Sequence, residues 1–181
     1  MLIIDPGDNA EKIEQKILEM QGKPVAILLT HGHFDHATGA GELAQLLHIK
    51  IYAQEKEKET LENPQLNLSG WQGSELVFYA DEYLKDEQEI DLAGFHIRVF
   101  LTPGHTVGGC CYYFPYQNTL FSGDSLFQTS IGRTDFPKGS ASQLIHAIRE
   151  KLMPLPDETA VYTGHGDMTT IGTERMYNPY L

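Results

Sequence analysis

Cysteine is nearly absent from this chain of 181 residues. The only two, Cys110 and Cys111, are neighbours, a poor geometry for an ordinary disulfide. That rules out a disulfide framework and points to a reduced protein. It also removes the thiolates that a closed structural zinc site favours. Base is scarce too, with 13 Lys and Arg against 25 Asp and Glu and a formal net charge of −12. Such a surface repels a polyphosphate backbone, which argues against nucleic acid as a partner. No apolar run approaches the length of a membrane span, and Met1 to Gly7 has no basic flank and only a very short apolar run. A cytoplasmic protein without a membrane partner is expected. The length suits a single domain over residues 1–181, able to bury roughly 70% of its unfolded surface.

What the chain does contain is histidine grouped with carboxylate. Thr30-His31-Gly32-His33-Phe34-Asp35-His36 places three imidazoles and a carboxylate within six residues, directly after the apolar run Val25 to Leu29. A strand delivering the chain to a turn would set His31 and His33 on one side, with Asp35 and His36 where the backbone curls into a helix. Satisfied core histidines explain one or two such residues, but not four together at the exit of a buried strand.

Around this stretch the first half alternates strand and helix. Ile3 and Ile4 end at Asp5-Pro6-Gly7, a helix capped by Asp8 or Asn9 places Ile13, Ile17, Leu18 and Met20 on one face, and Leu43, Leu46 and Leu47 mark a second helix before the strand Ile51 to Ala53. Gln54 to Glu62 is expected as an exposed helix, and Asp81 to Glu89 as an acidic turn region. Trp71 either anchors the polar stretch from Asn63 to Ser74 or lines a pocket. From Leu76 onward short strands follow one another, at 90–92, 96–101, 110–114 and 119–121, before a helix over 141–152 capped by Ser140, a last strand at Val161-Tyr162 and a closing helix at 173–177. Two halves, each of strands with covering helices, imply two sheets face to face with helices outside, a four-layer α/β arrangement.

Three further ligand candidates sit at strand ends among small residues: His105 in Thr102-Pro103-Gly104-His105-Thr106, Asp124 in Ser122-Gly123-Asp124, and His165 in Gly164-His165-Gly166. His48, His96 and His146 lack that setting and read as ordinary surface or core histidines. Five imidazoles and two carboxylates are too many for one tetrahedral ion and suit two. The expected division gives His31, His33 and His105 to one ion and Asp35, His36 and His165 to the other, with Asp124 bridging.

These motifs, in this order, resemble those of the metallo-β-lactamase-fold hydrolases, and within them the glyoxalase II-like group. Ile131 to Pro137 and Thr169 to Pro179 resemble its short, single-domain members. The resemblance implies an αββα fold and two divalent ions, zinc first with iron or manganese as alternatives. It places Asp5 beside the metal site and implies hydrolysis of a small thioester such as S-lactoylglutathione, with Asp35 orienting the nucleophile as well as ligating. Two departures stand out. Only four residues precede the Asp-Pro-Gly turn, so the first sheet should lack its usual N-terminal strands and leave an edge that a second copy could cover in a homodimer. The sequence to Leu181 leaves no room for the helical tail that contacts glutathione in glyoxalase II, so a domain without that tail is expected.

Persulfide dioxygenases share the fold and the Gly132 to Phe136 stretch, and imply one iron on His31, His105 and Asp124. A non-catalytic module is a third alternative, although every ligand position is filled. Arg133 and Asp135 are read as a buried ion pair bracing their loop in preference to a grip on an anionic substrate. Cys110 and Cys111 are read as small buried residues.

Overall fold

The computed structural model describes residues 1–181. In the first half, β1 (Leu2–Ile4) leads through the Asp5 turn to α1 (Ala10–Glu19), then β2 (Ala26–Leu28), α2 (Phe34–Ala37), α3 (Ala40–Leu47), β3 (Lys50–Gln54), α4 (Lys58–Glu62) and β4 (Glu82–Leu84). The four strands form one parallel sheet in the order β1-β2-β3-β4. All three residues of β2 are buried, as a central parallel strand covered on both faces requires. Alternation along it decides the layers. Ile27 and Leu29 face the helices, packing with Leu43 and Leu61, while Leu28 faces the opposite sheet with Val99 and Tyr112.

The second half supplies that opposite sheet. β5 (Glu89–Leu92), β6 (Phe95–Leu101), β7 (Cys110–Phe114) and β8 (Thr119–Gly123) run as an antiparallel meander. A small hairpin follows, β9 (Leu126–Phe127) with β10 (Ser130–Ile131), then α5 (Ala141–Ala147), extended by a wider turn over Ile148–Leu152. β11 (Ala160–Thr163) returns parallel to β8, β12 (Thr169–Thr170) pairs antiparallel with β11, and α6 (Ile171–Tyr177) ends the elements. Phe100, Cys111 and Tyr113 face Leu144, Ile148 and Ile171 on the outer side. The result is the expected αββα layering, and the first sheet has four strands against six in the second.

The sheets are joined where β2 ends. The buried Tyr112 hydroxyl donates to the Leu29 carbonyl at 2.8 Å, and the Cys110 N–H donates to the Thr30 carbonyl at 2.8 Å. Both cysteines are buried and unbridged.

Several expectations need correction. Asp81 to Glu89 is not all turn, because Glu82–Leu84 pairs with β3 and buries Leu84 in the space between the sheets. On α1, Ile17 is buried but Leu18 and Met20 are exposed, because the helix rests on the sheet along a narrower stripe than its apolar residues span. Glu55–Glu57 is a tight helical turn leading into α4, and the segment is not wholly exposed, because Glu57, Thr60 and Leu61 on it are buried. Asn67 anchors the 63–74 stretch in place of Trp71: its amide group donates to the carbonyls of Leu61 and Leu76.

Candidate metal centre

β2, β6, β8 and β11 all end at one rim of the sandwich, and the loops that follow carry the seven candidate ligands. Three of the five rings are oriented by a neighbour. Thr30 Oγ1 donates to Asp5 Oδ2 at 2.6 Å, so its lone pair accepts from His31 Nδ1 at 3.1 Å. His36 Nδ1 donates to Asp5 Oδ2 at 3.0 Å, and His105 Nδ1 donates to the Arg133 carbonyl at 2.7 Å. With the Nδ1 proton held in each, Nε2 of all three rings faces the interior, where it offers a lone pair whenever the ring is neutral. Asp5 also accepts the Thr30 N–H at 2.7 Å, which makes it more than a turn residue.

Two clusters result. The inward atoms of His31, His33 and His105 lie within 4.8 Å of one another, as do those of Asp35, His36 and His165. His33 Nδ1 and His105 Nε2 are 2.9 Å apart, and His36 Nε2 and His165 Nε2 are 3.1 Å apart. Asp124 lies between: its Oδ1 is 3.4 Å from His36 Nε2, and its Oδ2 is 3.4 Å from His105 Nε2 and 3.7 Å from His165 Nε2. Asp35 Oδ2 is 3.3 Å from His165 Nε2. All seven predicted residues are therefore brought together at this rim, and Asp5, His31 and His36 form a third set with ligand atoms within 4.8 Å of one another. His48, His96 and His146 stay outside it.

Electrostatics argue that a cation fits here. Burial, reinforced by the neighbouring rings, lowers the His31 pKa well below its usual value and takes His33 to about 2; burial likewise lowers His105. His36 moves the other way, to about 9, because its bond to Asp5 and the charges of Asp5, Asp124 and Asp35 overcome its burial. Burial raises Asp124 against the pull of His36, His105 and His165. His31 Nε2 and Asp124 Oδ1 are buried without a hydrogen-bond partner. These two inward-facing atoms, a ring nitrogen and a carboxylate oxygen, are the kind of donors that a bound metal ion would satisfy.

A cleft of about 460 Å³ opens onto the site, with Leu68, Trp71, Phe127 and Phe136 on its walls. Trp71 is 58% exposed and meets Phe136 edge-on, with centroids 6.0 Å apart, so of its two alternatives the pocket wall holds. Arg133 and Asp135 do pair, through two hydrogen bonds of 3.0 and 2.9 Å, but at the surface and unburied, where such pairs contribute little. The loop is tied instead through the Arg133 backbone to His105. Phe127 and Phe136 were not legible as cleft residues, since isolated aromatics carry no ligand-like spacing.

The sequence matches the model of the metallo-beta-lactamase superfamily over residues 2–165. Hydroxyacylglutathione hydrolase GloC of Haemophilus influenzae is 41% identical over 183 residues, covering 99% of this chain and 86% of that protein. The crystal structure of BLEG-1, described as a B3 metallo-beta-lactamase, aligns with a TM-score of 0.94 at 42% identity over 99% of this chain and 87% of that one. TTHA1623, solved in a di-iron-bound form, aligns with a TM-score of 0.85 at 35% identity over 98% and 88%. With a family match that runs from the first strand to the last of the five converging histidines, this chain belongs to the metallo-β-lactamase superfamily, whose fold binds divalent metal ions.

Proposed function

We propose that the protein is a dinuclear metal-dependent hydrolase of small acyl thioesters, with S-lactoylglutathione as the first candidate substrate and the cytoplasm as its setting. The observation that carries this reading is Asp124, whose carboxylate lies between the two ligand clusters, with Oδ2 within reach of both His105 and His165 and Oδ1 beside His36. His31, His33 and His105 would hold one ion, and Asp35, His36 and His165 the other. Bound divalent ions polarise an acyl carbonyl and lower the pKa of water toward about 7. The chain itself supplies the rest. Asp35, 42% exposed and lining the cleft, would orient the attacking water. The aromatic walls hold the substrate and exclude solvent. No general acid is required, because a thiolate whose parent pKa is near 8.5 leaves unaided. GloC at 41% identity supports the thioester class, and the di-iron form of TTHA1623 makes iron a candidate beside zinc and manganese.

The test is metal analysis of freshly purified protein followed by turnover of S-lactoylglutathione. Two ions per chain with thioester cleavage is the expected result. One iron per chain with oxygen uptake on glutathione persulfide would overturn it, and so would turnover of a β-lactam with no thioesterase activity.

A further inference from the structure

Glu57 lies in a run, Glu55-Lys56-Glu57-Lys58-Glu59, that has the pattern of a solvated helix, yet it is only 1% exposed. No cation pairs with it; hydrogen-bond donors surround it instead. Oε1 accepts the Gly32 N–H at 2.8 Å, and Oε2 accepts the Thr106 hydroxyl at 2.9 Å and the Gly108 N–H at 2.7 Å. Gly32 lies between His31 and His33, and Thr106 follows His105 directly. One carboxylate therefore ties together the two loops that converge in the three-histidine cluster. The approach is close: a Cβ on Gly108 would stand 2.1 Å from the Glu57 nitrogen. Burying a carboxylate without a counter-ion is costly, and a loop could be braced by neutral groups. Three donors converging from two loops require an acceptor at both oxygens, which an amide cannot offer.

We propose that Glu57 is a positioning residue for the His31–His33–His105 site, fixing the spacing of its two loops so that the ring nitrogens are placed before an ion arrives. Asp5 differs in reaching both clusters, through His36 directly and through Thr30 to His31. The inference rests on the dinuclear reading and extends it to a residue that touches no ligand side chain.

Glu57→Gln keeps the shape but turns an amino group toward the donors. Glu174→Gln is the matched control: Glu174 is fully buried and also accepts three hydrogen bonds, from the Thr129 N–H, the Thr169 hydroxyl and the Asn178 amide, but binds no ligand loop. Zinc affinities are read by competition with a chromogenic chelator, and amide exchange is read on metal-free protein. The expected result is that Glu57→Gln weakens one of two zinc sites by roughly 10- to 100-fold and leaves the other unchanged. The Gly32 and Gly108 amides exchange faster, while Glu174→Gln lowers Tm without moving either zinc constant. If Glu57→Gln does not fold, Thr106→Val removes a single donor and gives a smaller loss in the same direction. Unchanged zinc constants in Glu57→Gln or Thr106→Val, or an equal loss in Glu174→Gln, would overturn the proposal while leaving the dinuclear reading intact. A wild-type protein that takes up no zinc, iron or manganese would overturn both.

Discussion

Gly164→Ala should separate folding from metal binding. The backbone of Gly164 lies outside the left-handed region, so alanine meets no conformational penalty there. The methyl group would instead enter the site, 2.2 Å from Asp124 Oδ1 and 2.8 Å from His36 Cε1. Restoring even 3.0 Å, the shortest such approach that real Cβ atoms show, moves the carboxylate by about 0.8 Å, the difference between 3.0 and 2.2 Å. Ligand distances tolerate about 0.2 Å, so a bridging role for Asp124 does not survive that shift. The fold loses no more than ordinary overpacking costs, about 1–3 kcal/mol. Elemental analysis should show metal falling from two ions per chain to one, and kcat on a thioester should drop by about 100-fold, as a misplacement near 1 Å can cause. A Gly164→Ala enzyme with two ions and wild-type kcat would refute the reasoning, because Asp124 could then not be where both clusters need it.

Other substitutions test other layers. Gly41 lies within α3, and a Cβ there meets nothing within 4 Å; Gly41→Ala should stabilise the fold by about 0.5–1 kcal/mol in a denaturant melt, and destabilisation would show that the cleft beside α3 needs the space. Partial burial pushes the Asp86 carboxyl up, but hydrogen bonds from Lys151 and the Leu101 N–H hold it below its usual value. A carboxylate depressed in the folded state adds stability above its unfolded pKa, near 4, and that stability fades as pH falls through the folded value. Lys151→Met should therefore flatten the acid limb of the Tm–pH curve below about pH 4 and, with Asp86 39% exposed, lower stability at pH 7 by under about 1 kcal/mol. Trp71→Ala should raise KM several-fold and leave kcat and Tm unchanged; a fall in Tm would make Trp71 the anchor that its exposure denies.

The ligand set was legible because each of its pieces is local: a dense histidine stretch, or a histidine or aspartate among glycines where a strand stops. The layering was legible for a similar reason, since β2 and β7 are continuous apolar runs and the meander has turn residues between its strands. Glu57 was hidden because charge patterning reports which residues could be solvated, and it cannot see a second loop arriving with three donors. β4 was hidden because Glu82-Tyr83-Leu84 is short and acidic and owes its strand form to the neighbouring edge of β3. Leu18 and Met20 misled because spacing predicts a helix face and not how much of that face a neighbouring sheet will cover.

The bonds from Tyr112 and Cys110 to the carbonyls of Leu29 and Thr30 close the sandwich at one corner, directly ahead of His31. A pair of sheets fastened at a corner opens like a hinged cover, with its largest excursions at the far edge and its smallest beside the fastening. The Cys110 amide, inside this fastening, should be among the slowest in the molecule to exchange with solvent. Precision at the rim is thus compatible with three-residue strands, because the rim borrows its rigidity from the opposite sheet.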